Sequence, residues 1–144
     1  THADHLGNHV PLMTSAAAGL ASLVADMQNT PDPNDSGKSL AETTTILITS
    51  EFVRTPLFNV AAGTDHWPVG AAIVMGRGVA DNVVVGATGD DAYALGWSND
   101  RPVERNARTA LTPEQMVATV LEMVGLDGDP LMAFGEGRLN GIRA

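Results

Sequence analysis

Several residue types and patterns are scarce in this chain or missing from it, and each absence argues against a class of protein. There is no cysteine, which excludes a disulfide scaffold and any metal site built from thiolates. Seven arginines and one lysine stand against seventeen acidic residues, and this net charge of −9 argues against binding to a nucleic-acid backbone. No run of roughly 18 apolar residues occurs, so the sequence predicts no membrane span.

The composition that remains is that of one folded domain with an unusual beginning. The chain has 144 residues, of which 44% are apolar and 17% are charged, enough for a hydrophobic core. Three of its four histidines, His2, His5 and His9, fall within the first nine residues, and no initiator methionine precedes them. We therefore expect the natural protein to begin upstream of Thr1. If Thr1 were instead a true amino terminus, its hydroxyl and α-amine would offer a nucleophile and a base.

Hydrophobic periodicity predicts one long helix followed by strands. Residues 11–28 carry apolar side chains at spacings of three and four, which predicts a helix that packs against a sheet. Residues 29–42 are rich in turn-forming types and predict a surface connection. The β-branched run at 43–49 predicts a buried strand, and the short apolar runs at 70–75 and 83–85 predict two more. A helix followed by a strand without alternation favours a parallel α/β sheet covered on both faces.

A second helix is predicted near the end of the chain. Thr112 has the character of a helix cap, since Pro113 follows at the first helical position and Gln115 at the third. The predicted buried face consists of Met116, Val117, Val120, Leu121 and Val124. Gly125 predicts the end of this helix, and residues 127–144 predict a surface tail.

Side chains able to hold a metal ion follow the predicted strand at 43–49. Glu51 comes just after its end, and the Asp65-His66 pair lies shortly beyond. Carboxylate oxygen and imidazole nitrogen suit divalent cations, and a strand end fixes its ligands better than a free loop does. Arg54 lies close to Glu51, and its planar guanidinium matches a tetrahedral oxyanion.

Each of these residues also has a purely structural interpretation. Glu51 and Arg54 are close enough in sequence to form an ion pair. His66 could be a loop histidine whose ring is oriented by Asp65. The three early histidines could be solvated side chains near a frayed terminus.

Two motifs carry a resemblance to a known family: S-E-F-x-R-T-P at 50–56 and G-T-D-H-W-P at 63–68, followed by an apolar run and a glycine-rich turn. In this combination the chain resembles an uncharacterised bacterial family of sulfatase-like proteins in the alkaline phosphatase superfamily. The likeness covers nearly the whole chain, but only about a third of a typical member. It implies an α/β fold, an alkaline-phosphatase-like sandwich with a mostly parallel central sheet, of which residues 1–144 are a carboxy-terminal portion.

The resemblance also implies what surrounds this chain in the natural protein. Members commonly carry a W-D-T-H motif before the first helix, so Thr1-His2 resembles its last two residues, with the aspartate upstream. Members are often exported by the twin-arginine route, which implies a periplasmic or secreted bacterial protein. The superfamily nucleophile belongs to the amino-terminal part. We therefore expect this chain alone to be inert and to need that part, or another chain, for stability.

A metal site follows from the same resemblance. The implied ligands are His2 or His5, Glu51, Asp65 and His66, for one or two ions of zinc, manganese or calcium. Phe52 stands where relatives have a histidine, so either Asp65 replaces that ligand or the site holds a single ion. Arg54, the cation beside Glu51, is the predicted catalytic residue from its own chemistry, and it would hold the oxygens of the substrate.

The function that the resemblance implies is a metal-dependent hydrolase of phosphate or sulfate esters, with a small-molecule ester as its substrate. The alternative is a catalytically degenerate member that acts as a cell-surface binding or assembly protein. Phe52 is the residue that favours the alternative, because a phenyl ring cannot bind a metal ion.

Overall fold

The computed structural model of the chain describes residues 2–106, 110–126 and 137–144. The chain divides into two compact units. The first is formed by Thr1–Thr44 and Ile48–Ile73, and the second by Thr45–Leu47 and Val74–Ala144. In chain order the elements are α1 (His5–Asn29), β1 (Pro31–Asp32), β2 (Asp35–Ser39), α2 (Leu40–Thr43), β3 (Thr45–Ile48), β4 (Val53–Arg54), β5 (His66–Trp67), β6 (Ile73–Gly76), β7 (Gly96–Ser98), β8 (Arg101–Val103) and α3 (Pro113–Met123).

The strands of the described residues join only in pairs: β1 with β2, β3 with β6, β4 with β5, and β7 with β8. The pairs β1–β2, β4–β5 and β7–β8 are antiparallel. The predicted alkaline-phosphatase-like sandwich with a mostly parallel central sheet is therefore wrong. A short apolar run looks the same in a buried parallel strand and in a strand that belongs to a single pair, so the pattern at 43–49 did not distinguish them.

The individual strand predictions have different outcomes. The strand predicted at 43–49 is confirmed as β3, whose four residues are all half-buried. The strand predicted at 70–75 lies later, because β6 begins at Ile73 and ends at Gly76. Residues 83–85 are described and form no strand, so that prediction is wrong. Their β-branched side chains favour extended backbone, but a strand also needs a neighbour to pair with.

Helix α1 begins at His5 rather than at residue 11. Asp4 caps it, because its side-chain carboxylate accepts a hydrogen bond from the Gly7 N–H at 3.0 Å. The prediction treated Pro11 as the first helical residue, which is where proline is most often found. Pro11 instead lies inside the helix, where its missing N–H removes one backbone hydrogen bond.

No residue of α1 is buried, so the predicted burial of its apolar stripe against a sheet is not found in the described residues. Leu20, Val24 and Met27 are half-buried toward its carboxy-terminal end, and the helix contacts α2 and β2. Leu12 and Met13 are 63% and 55% exposed. By length and composition alone α1 could cross a membrane, with a mean hydropathy of 1.4, but core helices of soluble proteins and signal sequences share this character.

The predicted surface connection at 29–42 is largely exposed and contains the β1–β2 hairpin and α2. Asp32 holds the hairpin turn, since its carboxylate accepts a hydrogen bond from the Asn34 N–H at 2.7 Å. Ser39 begins α2, and its N–H and hydroxyl both donate to the Glu42 carboxylate at 2.8 Å. Local side-chain contacts therefore give this segment its structure.

The second predicted helix is confirmed as α3. The Thr112 hydroxyl accepts a hydrogen bond from the Gln115 N–H at 3.2 Å, and the Gln115 side chain accepts one from the Thr112 N–H at 3.0 Å. Gly125, with φ 78°, follows the helix in the left-handed conformation that glycine adopts without strain. The buried face is shifted from the predicted one, since Ala118 and Thr119 are the buried residues of α3 and Val124 is 47% exposed.

Thr119 connects α3 to the end of the chain. Its hydroxyl donates to the Gln115 carbonyl at 2.7 Å and accepts from the Leu139 N–H at 2.8 Å. Leu139 is 8% exposed. Part of the predicted surface tail, residues 127–136, lies outside the described residues, while residues 137–144 contain this buried anchor.

We predict that Thr119→Val destabilises the protein by about 1–3 kcal/mol, because valine has the same shape but leaves the buried Leu139 N–H without an acceptor. Thr14→Val is the matched control. The hydroxyl of the exposed Thr14 also donates to a carbonyl one turn earlier, that of Val10, at 2.9 Å. We expect it to change stability by less than about 0.5 kcal/mol. Urea unfolding of the natural protein measures both, and equal midpoints for the two variants would contradict the role of Thr119.

Candidate functional site

The predicted site residues at 54 and 66 lie opposite each other because β4 and β5 pair. In this antiparallel pair Arg54 is the partner of His66, and Val53 that of Trp67. Two further bonds extend the pairing, since the Thr55 N–H donates to the Asp65 carbonyl at 2.9 Å and the Asp65 N–H to the Thr55 hydroxyl at 3.1 Å. Both ends of the loop that connects β4 to β5 therefore lie next to the Arg54–His66 pair.

The amino-terminal segment lies across this loop. Ala3 forms a β-bridge with Ala62, and the N–H groups of Asp4 and His5 donate to the loop carbonyls of Ala61 and Ala62 at 3.0 and 2.8 Å. These bonds bring His2 to the β4–β5 pair although more than fifty residues separate them in sequence.

Gly63 makes this close approach possible. A Cβ atom at this position would lie 2.1 Å from the backbone carbonyl carbon of His2 and 2.2 Å from its oxygen. Neither atom belongs to a flexible side chain, so a larger residue would force the two segments apart. Glycine is required here by the nearness of another backbone.

A chain of hydrogen bonds connects Arg54, His2 and Asp65. Arg54 Nη1 lies 3.2 Å from His2 Nε2, and His2 Nδ1 lies 3.2 Å from Asp65 Oδ1. A guanidinium only donates, so Nε2 of His2 must accept, and its proton is on Nδ1, which donates to the Asp65 carboxylate. Arg54 Nη1 also donates to the Thr64 carbonyl at 3.0 Å. This chain therefore fixes His2 in one neutral tautomer.

Asp65 has a half-exposed side chain, 59% accessible to solvent, and its neighbours favour the charged carboxylate further. A hydrogen bond from Asn59 lowers the pKa of Asp65 below its usual value, and the contact with His2 lowers it further. The Asn59 Nδ2 and the His2 Nδ1 lie 3.0 and 3.2 Å from the same Asp65 oxygen, Oδ1. The other oxygen, Oδ2, has no hydrogen bond within the described residues.

The ring of His66 contacts the rings of Phe52 and His2. The ring of Phe52 stacks on it at 3.9 Å with an interplanar angle of 18°, and the ring of His2 lies 5.1 Å away. The guanidinium of Arg54 lies over the Phe52 ring, 5.0 Å from its centroid. Phe52, which cannot bind a metal, thus supports the residues around it by packing.

His5 and His9 form a second histidine pair on the first turns of α1. Their ring centroids are 4.6 Å apart, and the His5 ring lies 5.5 Å from that of Phe58. His5 Nδ1 lies 3.2 Å from the Thr64 hydroxyl. Desolvation lowers the pKa of His9, and the neighbouring charge of His5 lowers it further.

Glu51 is not part of these contacts. It is exposed, and among the described residues it forms neither a hydrogen bond nor an ion pair with Arg54, the partner expected from its position in sequence. The structure thus brings together four of the predicted site residues, His2, Arg54, Asp65 and His66, with His5 beside Thr64. The role of Glu51 stays a prediction.

The predicted metal ligands fit a divalent ion in part. Asp65 Oδ2, His66 and His5 Nε2 offer atoms that make no hydrogen bond within the described residues, whereas both nitrogens of His2 are engaged. No group of three or more histidine, aspartate or glutamate residues in the described ranges is arranged to hold one ion. A complete set of ligands would need His2 to release Arg54, or a residue from elsewhere. The metal stays a prediction.

Sequence reasoning missed Asn59 and Thr64. The side chain of Asn59 and the backbone and hydroxyl of Thr64 contact the predicted residues directly. One signal was present, since an asparagine side chain in a loop commonly accepts a hydrogen bond from the backbone two residues on, as Asn59 does from Ala61. Thr64, which is 3% exposed, gave none.

Comparison with known proteins assigns the chain to a family. It belongs to the DUF1501 family, described as proteins of unknown function, whose model matches residues 1–144. No curated protein and no solved structure matches it.

We predict that Gly63→Ala lowers the stability of the protein by about 1–3 kcal/mol, because the added methyl group would overlap the His2 backbone. Gly19→Ala is the matched control, since nothing lies within 4 Å of its Cβ position. This control should raise stability by about 0.5–1 kcal/mol, as alanine favours a helix over glycine. Thermal midpoints measure both, and a Gly63→Ala protein as stable as the wild type would contradict the described contact.

A second prediction concerns pH. Because the folded-state pKa of Asp65 is depressed, this residue contributes stability above its unfolded pKa and loses it as the pH falls through the folded value. Asp65→Asn should therefore lower the midpoint at pH 7, and the difference from the wild type should shrink toward about pH 2. Asp81→Asn, at an exposed turn aspartate, is the control. A deficit in Asp65→Asn that does not change with pH would contradict the prediction.

Proposed function

We propose that the natural protein is a metal-dependent hydrolase of phosphate or sulfate esters, and that this chain supplies one wall of its site. The observation that carries the proposal is the convergence of His2, from the amino-terminal segment, with Arg54, Asp65 and His66, from the β4–β5 pair, on one partly exposed cluster. The motifs' resemblance to sulfatase-like proteins supports the same reaction. The relationship of this chain to sulfatase-like proteins is part of the proposal, and it rests on the motifs and not on the overall fold.

Arg54 is the proposed oxyanion-binding residue. Its Nη1 is taken up by His2 and the Thr64 carbonyl, whereas its Nε and Nη2 donate to no group within the described residues. Two parallel N–H donors match two oxygens of a phosphate or sulfate group. The contacts of Nη1 and the packing on Phe52 hold the guanidinium plane before a substrate arrives, which lowers the cost of binding.

His2 and Asp65 form the proposed proton-handling pair. Asp65 fixes the Nδ1–H tautomer of His2 and would stabilise its protonated form. The Nε2 of His2 faces Arg54, so a substrate oxygen bound to the guanidinium would lie close to this nitrogen. Carboxylate, imidazole and guanidinium therefore act as one unit in the proposal.

A divalent ion is the proposed cofactor, and Asp65 and His66 are the residues in this cluster with ligand atoms available. When bound, such an ion polarises an ester oxygen and lowers the pKa of a bound water. The nucleophile is proposed to come from another part of the protein. Export to the periplasm or the exterior belongs to the same proposal and is supported by the resemblance alone.

The test uses the full-length natural protein with p-nitrophenyl phosphate and p-nitrophenyl sulfate, each with added zinc, manganese or calcium. Arg54→Gln should lower kcat/KM by about 10²–10³-fold, because it removes preorganised charge from the developing oxyanion. Arg77→Gln is the matched control, since Arg77 is exposed and its side chain makes no ion pair in the described residues. Equal activity in the two variants, or no turnover of either ester with any of these ions, would contradict the proposal.

A specific observation favours a second candidate function, that of a binding or assembly protein without catalysis. Phe52 covers one face of His66 at 3.9 Å, in the position where the resemblance implies a metal ligand. Metal analysis separates the two functions. A catalyst should retain near-stoichiometric metal and lose it in His66→Ala, whereas a binding protein without a metal site should contain no more metal than its His66→Ala variant.

A further inference from the structure

Asn59 makes four side-chain contacts, which connect the amino-terminal segment, its own loop and Asp65. Its Nδ2 donates to the His2 carbonyl and to Asp65 Oδ1, both at 3.0 Å. Its Oδ1 accepts from the N–H groups of Ala61 and Gly63, also at 3.0 Å. A side-chain amide has two N–H donors and two acceptor lone pairs, so its bonding capacity is fully used.

The orientation of this amide follows from its neighbours. Two backbone N–H groups need an acceptor on one side, while a carbonyl and a carboxylate need a donor on the other. If the amide were reversed, its NH2 group would face the two backbone N–H donors, and its oxygen would face the His2 carbonyl and the Asp65 carboxylate, which are both acceptors. The network therefore permits one orientation of Asn59.

The bonds of Asn59 reach the Asp65–His2 pair from two directions. One N–H fixes Asp65 by the same oxygen that His2 contacts, and the other fixes the His2 backbone. Asp65 and His2 have side chains that are 59% and 60% exposed, so burial does little to restrict their rotation. Hydrogen bonds from a fully engaged amide supply that restriction.

We propose that Asn59 is a positioning residue, whose side-chain amide orients the Asp65 carboxylate and, through it, the Nδ1–H tautomer of His2. This leaves the His2 Nε2 in contact with Arg54 and the Asp65 Oδ2 without a hydrogen bond within the described residues. The inference rests on the proposed function only where activity is measured, since the orientation itself can be measured without a substrate.

Asn59→Asp separates this role from a purely structural one. Aspartate keeps an acceptor oxygen for the N–H groups of Ala61 and Gly63, so the loop retains its internal bonds. It loses both donors and places a second negative charge beside Asp65, which disfavours the charged carboxylate. Asn29→Asp is the matched control, since Asn29 Nδ2 donates to the Ala25 carbonyl at 2.7 Å in α1.

The first readout is the tautomer of His2, followed by nitrogen-15 NMR of the full-length protein. Asn59→Asp should give nitrogen-15 shifts of His2 that show a mixture of tautomers, and carbon-13 NMR of aspartate-labelled protein should show a raised titration midpoint of Asp65. Asn29→Asp should change neither. If Asn59→Asp does not fold, Asn59→Ser takes its place, with a smaller rise in the same direction because serine retains at most one donor.

The second readout is hydrolysis of p-nitrophenyl phosphate. Asn59→Asp should lower kcat about 10–100-fold with little change in KM, and should move the acid limb of the rate profile upward with the Asp65 titration. In an Asp65→Asn background the same substitution should have little further effect on kcat, because the two residues act through one bond.

The outcomes distinguish the two proposals. A folded Asn59→Asp protein in which His2 keeps a single tautomer overturns the positioning role. A mixture of His2 tautomers in a protein that hydrolyses neither ester supports the positioning role and counts against the proposed hydrolase. A mixture of tautomers together with the loss in kcat supports both.

Discussion

The contact between the amino-terminal backbone and the loop at Gly63 is the constraint on which the site depends. His2 and Ala3 cross the loop at a distance that no side chain at position 63 would allow. The N–H of His5, the first residue of α1, donates to the loop carbonyl of Ala62. The start of the helix and the placement of His2 beside Arg54 are therefore set together, and a change in one would move the other.

How much the sequence could predict depends on how local each feature is. The cap of α3 was predictable because Thr112 and Gln115 bond each other within one turn, and Gly125 ends the helix for an equally local reason. The sheet was not predictable in the same way, since pairing partners such as Val53 and Trp67 are set by contacts between distant segments. A run of β-branched residues at 83–85 carried the propensity for a strand but no information about a partner.

The site shows the same difference between local features, which the sequence predicts, and long-range contacts, which it does not. Arg54, Asp65 and His66 were predicted as candidates from their chemistry, and His2 from a resemblance, but nothing in the sequence alone located them relative to one another. Glu51 met the same chemical criteria and lies outside the cluster, because the pairing of Arg54 with His66 places the neighbouring Phe52, not Glu51, against the imidazole. Asn59 escaped notice because an uncharged loop residue has no chemical pattern until its four partners are known.

The apolar stripe of α1 was predicted from the sequence, but its exposure to solvent was not. The periodicity at 11–28 correctly indicated a helix with an apolar side, yet in the described structure Leu12 and Met13 on this helix are more than half exposed. Apolar area of this kind is usually covered in a native protein. The expectation that this chain needs another part of its protein, or another chain, therefore rests on α1 more than on any strand.

The lone pair on His2 Nε2 decides between two uses of the cluster. It accepts a hydrogen bond from Arg54 in this structure, and the same lone pair would have to face a cation if His2 were a metal ligand. One nitrogen cannot do both, because a guanidinium and a metal ion are both positive and would compete for one position. If His2 binds a metal ion, Arg54 must turn away, and its Nη1 then becomes available to a substrate oxygen. If His2 keeps Arg54, the ligands must come from Asp65, His66 and residues beyond this cluster. In either case the orientation of His2, held by Asp65 and Asn59, determines which partner its lone pair meets.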